Sequence, residues 1–69
     1  MSAEHQLREQ VVNALRAEGI SQAEVCRRLG CSTKHMSHML TGKAPLSLWW
    51  AERILTLCGK RLVVGVRRL

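Results

Sequence analysis

Thr33, Lys34, Ser37 and His38 fall at positions i, i+1, i+4 and i+5, which on a helix places two hydroxyls, an amine and an imidazole on one side. Such a set donates and accepts hydrogen bonds, so the chemistry it offers is recognition of a polar surface rather than bond making. Catalysis has no constellation to carry it: the chain has no Asp, its five Glu are scattered, and no glycine-rich phosphate loop is present. The protein is therefore expected not to be an enzyme and to need no cofactor. Cys31, His35 and His38 could bring three metal ligands to one side of a helix, but structural zinc normally takes four, so no metal is expected.

The elements that must position this face are legible from caps and spacing. Ser21 followed by Glu24 forms a capping box, in which each side chain is expected to satisfy a backbone N–H of the first helical turn. Val25, Cys26 and Leu29 then share one face, and Gly30 can adopt the left-handed conformation that ends a helix and turns the chain. Ser32 caps a second helix over 33–41, with Met36, Met39 and Leu40 inward and Thr33, Lys34, Ser37, His38 and Thr41 outward. Two short helices hinged at a glycine can present the second one to a DNA groove. Lys34 can donate to guanine O6 and N7, Thr33 can offer a methyl or a hydroxyl, and His38 can donate or accept.

Residues 22–41 resemble the helix-turn-helix of the lambdoid phage repressor and Cro family. The likeness rests on Gln22 at the start of the first helix, the small Cys26 at the close crossing, Gly30 in the turn, and apolar Val25, Leu29, Met36 and Met39. It continues through Gly42-Lys43-Ala44-Pro45 and the helix capped by Ser47, covering about residues 4–59. Cys26 and Met36 depart mildly from the family's usual alanine or glycine and branched aliphatic. The resemblance implies a dimer on operator DNA, with the N-terminal part of the second motif helix in the major groove. By position it makes Thr33, Lys34, Ser37 and His38 base readers and Gln22, Ser32, His35 and Lys43 phosphate contacts, helped by backbone N–H groups at helix starts. His35 and the outer arginines Arg27 and Arg28 are equally compatible with plain solvation.

The remaining chain supplies a scaffold. Leu7, Val11, Ala14 and Leu15 recur at helical spacing and Gly19 stops that first helix; Ser47 caps a fourth whose Leu48, Ala51, Ile54, Leu55 and Cys58 close the core before Gly59. Neighbouring Trp49 and Trp50 point about 100° apart on a helix, so one is expected buried and one partly exposed. At Lys60 the pattern changes to a period of two. Leu62, Val64 and Val66 alternate with Arg61, Val63, Gly65 and Arg67, which predicts a strand over about 61–67. A lone strand has no intrachain partner, so these three residues are expected to pair it with its copy in a two-fold homodimer, as in Cro-like members of the family; the alternative is a tail that folds back over its own helices.

The fold class expected is thus mainly α: a four-helix helix-turn-helix DNA-binding domain, single over residues 1–69, with a C-terminal β-strand that pairs across a dimer. The formal charge is +6 and is unevenly spread: −1 over residues 1–19, +3 over 20–45 and +4 over 46–69, so the excess lies in the motif and the tail, as phosphate binding requires. Three cysteines at 26, 31 and 58 form no C-x-x-C pair, and an odd count without a basic-then-apolar leader predicts reduced thiols in the cytoplasm. No stretch approaches the roughly 18 apolar residues of a membrane span. The function expected is a sequence-specific regulator, most simply a repressor on a symmetric operator. An antitoxin that binds a toxin protein and its own promoter is the alternative, though no toxin-wrapping acidic tail is visible.

Overall fold

The computed structural model describes residues 2–69 and contains four helices: α1 (Ala3–Glu18), α2 (Gln22–Leu29), α3 (Thr33–Thr41) and α4 (Leu48–Leu57). Each begins at a serine. The hydroxyls of Ser2, Ser21, Ser32 and Ser47 accept from the backbone N–H three residues on, at 3.1, 3.2, 3.1 and 3.3 Å. The Ser2 cap was not anticipated from the sequence. The capping box at Ser21 is only half formed, because the Glu24 carboxylate takes Arg28 Nε at 3.0 Å and Arg27 instead of reaching back to the backbone. Cationic partners three and four residues away compete well with a neutral N–H for a carboxylate.

The helices surround one apolar cluster. It is built from Val11, Ala14 and Leu15 of α1, Val25 and Cys26 of α2, Met36, Met39 and Leu40 of α3, and Ala51, Ile54 and Leu55 of α4, with Leu46 and Cys58. Leu7 and Leu29 are only partly buried. Leu48, expected to close the core, is 56% exposed, whereas Leu46 in the preceding loop is 3% exposed. The loop inserts its own leucine before the helix starts, and that occupies the space. The tryptophans also differ from expectation: Trp49 is 55% exposed and Trp50 is half-buried, so neither lies wholly in the core.

No strand forms among the described residues. Residues 61–67 run without regular structure, and no backbone hydrogen bond joins 61–69 to another described residue. Leu62 packs on the core edge, while Val63, Val64 and Val66 are exposed, so the alternating face is divided between one anchored and two free residues. A ladder needs a second strand, which the helices of the same chain do not supply.

One side chain fastens α1 to α3. Arg8 Nε donates to Met39 O at 2.7 Å, and its Nη2 donates to Glu4 at 2.6 Å and to Ala44 O at 3.4 Å. The last carbonyls of a helix have no intrahelical partner and carry the negative end of its dipole, so a guanidinium there satisfies both needs. Gly42 turns the chain just past this point at φ 90°, in the left-handed region, against the flat of the Arg8 guanidinium. Replacing Arg8 by Met keeps the stem and removes the bonds. The Arg8→Met chain is expected to lose about 1.5–3 kcal/mol, read as a lower urea midpoint at unchanged slope; an unchanged midpoint would show that the clamp contributes nothing.

Candidate nucleic-acid interface

The turn between α2 and α3 sets the attitude of the second helix. Gly30 sits at φ 73° and ψ 38°, and both Gly30 N and Cys31 N donate to Cys26 O, at 2.8 and 3.2 Å. A residue with a Cβ is strained in that conformation, which is why the hinge needs glycine. Cys26 is 7% exposed, and its thiol donates to Ser32 O at 3.4 Å, tying the end of α2 to the cap of α3. Burial first, and the neighbouring Cys31 thiol second, push the Cys26 thiol up to about 11. The thiol therefore stays protonated at neutral pH and serves as a donor.

Beyond the cap, α3 turns Met36, Met39 and Leu40 into the core and leaves its first turn in solvent. Thr33, Lys34 and His35 are exposed, whereas Ser37 and His38 are half-buried. Helical geometry aligns these residues in two rows, Thr33 with Ser37 and Lys34 with His38, each four residues apart. The outer end of both rows is open and the inner end is supported by the fold. Thr41 faces outward as expected and is exposed, and its hydroxyl donates to Ser37 O at 2.8 Å.

The residues assigned to phosphate lie at three places around α3. Gln22, half-buried at the start of α2, borders a groove shared with Leu40 and Thr41 at the far end of α3. Lys43 is exposed in the loop after α3, and Ala44 N donates to His38 O at 3.0 Å, which folds that loop back on the helix. Ser32 is exposed, and with its oxygen accepting from His35 N it keeps its proton and one lone pair to offer a ligand. None of the ion pairs among the described residues involves Lys34 or Lys43, whereas Arg27 and Arg28 both converge on Glu24. An unpaired positive charge thus lies at each end of α3.

His35 has a neighbour that the sequence did not reveal. Its ring meets Trp50 edge to face at 5.7 Å, Trp50 meets Trp49 at 4.8 Å, and the Arg53 guanidinium lies 4.7 Å from the Trp49 ring. This row braces the start of α3 against α4. The available signal was Arg53 four residues after Trp49, but contact with His35 depends on how the helices pack. Cys31, His35 and His38 do not converge, and no cluster of three metal-ligating side chains occurs among the described residues. No helix of the described residues is long and apolar enough to cross a membrane.

Comparison with curated proteins and with solved structures gives no match. A family model described as a helix-turn-helix domain matches residues 5–60, which takes in all of α2, α3 and α4 and most of α1. On that match and on the glycine-hinged pair of helices, the chain belongs to the helix-turn-helix domain family, a membership that points to a DNA-binding regulator.

Proposed function

We propose that this chain is a sequence-specific regulator that binds double-stranded DNA as a homodimer and represses by occupying a two-fold symmetric operator, as the likeness to lambdoid repressor and Cro proteins implies. The observation that carries this reading is the open first turn of α3, with Thr33 and Lys34 exposed and Ser37 and His38 in line behind them. In this reading α3 enters the major groove. Lys34 reads guanine, Thr33 contacts a base by methyl or hydroxyl, and Ser37 and His38 reach the edges next to them. Gln22, Ser32, His35 and Lys43 hold the backbone on either side and set the register.

Dimerisation is assigned to the tail. Backbone N–H and C=O groups over 61–69 make no bond to another described residue, and Val64 and Val66 stand in solvent, the latter at 97%. Antiparallel pairing with a second copy would satisfy those groups and cover both valines, with Leu62 anchoring each strand to its own core. Selection of bound duplexes from a random pool tests the whole proposal: a motif with two symmetric half-sites is expected, and a pool with no enriched motif would overturn sequence-specific binding.

Lys34→Ala and His38→Ala are expected to change base preference at distinct positions, each lost contact costing about 1–3 kcal/mol at its own base pair. Equal weakening on every duplex would make both residues phosphate contacts instead. For Lys43→Ala the expected outcome is the reverse: preference survives, all duplexes bind more weakly, and the salt dependence flattens by about one unit of slope. An unchanged slope would remove Lys43 from the phosphate set.

A Val64→Pro change removes one N–H and fixes φ, which a strand ladder does not tolerate. Sedimentation over a dilution series should show dissociation to monomers that keep their helices, and affinity for a two-half-site duplex should fall steeply as paired contacts become single ones. Wild-type protein that sediments as a monomer both free and on DNA would rule out the intermolecular ribbon.

A further inference from the structure

The hinge between α2 and α3 holds two thiols that DNA contact does not use. Cys26 occupies the last turn of α2 and Cys31 the second position past its end, and the bond from Cys31 N to Cys26 O at 3.2 Å closes the chain between them. In helix ends of this type the side chains at those two positions frequently pack together. Here the Cys31 side chain packs against the buried cluster that includes Cys26. A disulfide needs α-carbons about 4.4–6.8 Å apart, a span that suits two residues joined across one backbone hydrogen bond. Cys58 is differently placed: it is buried at the end of α4, where the charged groups acting on it are Glu18 and Lys60.

We propose that Cys26 and Cys31 form a dithiol modification site, closed to an intrachain disulfide by exchange with a low-molecular-weight disulfide such as glutathione disulfide, and that closure weakens DNA binding. Cys31 is the entry point because it is half-buried, whereas Cys26 is covered and held protonated. The Cys31 thiolate attacks one sulfur of the reagent, forming a mixed disulfide and releasing one thiolate. Cys26 then loses its proton, attacks the Cys31 sulfur and expels the second thiolate. The protein gives up two electrons and two protons, and the reagent leaves as two thiols. Closure also removes the donor that Cys26 offers to Ser32 O at 3.4 Å, and Ser32 is the residue that caps α3. The effect therefore falls on the first turn of α3, and its consequence for DNA rests on the function proposed above.

Trypsin provides a direct readout, because Arg27 and Arg28 lie between the two cysteines. After treatment of the folded chain with glutathione disulfide, alkylation of remaining thiols and non-reducing digestion, fragment 17–27 should appear linked to fragment 29–34. Cys58→Ala should close like wild type, Cys26→Ser should stop at the Cys31 adduct, and Cys31→Ser should not react. A wild-type adduct that never closes, a link involving Cys58, or no reaction would overturn the site. In the second arm the closed form should bind the selected duplex at least tenfold more weakly, with recovery after reduction by dithiothreitol. Linked fragments with unchanged affinity would overturn the regulatory half alone. Failure of the reduced protein to bind any duplex would instead count against the proposed function, leaving the fragment map to decide the dithiol site.

Discussion

Three of the four helices are eight, nine and ten residues long, shorter than an isolated helix needs to persist in water. Their existence depends on burying one stripe each in a shared core while their ends are satisfied by something other than the helix itself. The serine caps meet the second need at every N-terminus, and the buried cluster meets the first. A core drawn from so short a chain leaves little reserve. Each element is thus held by its neighbours, and the open face of α3 exists because its opposite face has nowhere else to go.

The same constraint explains why the polar devices cluster around α3. Its beginning is capped by Ser32, tied to α2 through the Cys26 thiol, and braced by His35 against Trp50. Its end is gripped by Arg8 and turned by Gly42. Under the proposed function, a surface that matches the edges of a rigid duplex gains from being fixed before contact, since ordering it on binding would subtract from affinity. That rigidity is supplied from three different elements, so substitutions far from the open face can alter recognition without touching a ligand. The dithiol at the hinge would act through one of these supports.

Electrostatics separate the basic residues around the helix pair by what engages them. Arg8, Arg27 and Arg28 are engaged with glutamates, and Arg8 also with backbone carbonyls; they belong to the fold. Lys34 and Lys43 take part in no ion pair among the described residues, so their charge is available to an anionic partner. Arg53 stands apart, occupied by an aromatic face rather than a carboxylate. Net charge alone could not have separated these roles.

Local chemistry determined much of this protein. The helix bounds around Ser21, Gly30, Ser32 and Ser47, the inward Val25, Cys26, Met36, Met39 and Leu40, and the hinge itself follow from short-range capping and from the 3.6-residue repeat, and all were legible in the sequence. Packing decided the rest. Leu46 rather than Leu48 fills the core because a loop can insert a side chain before its helix begins. Glu24 forsakes the backbone for two arginines because competition among partners is resolved in three dimensions. The Arg8 clamp spans 31 residues of chain to Met39, and the contact of His35 with Trp50 joins two helices, so neither has a signal in local spacing. The tail marks the same boundary from the other side: an alternating pattern states which face a strand would bury, but a strand exists only where a second one meets it.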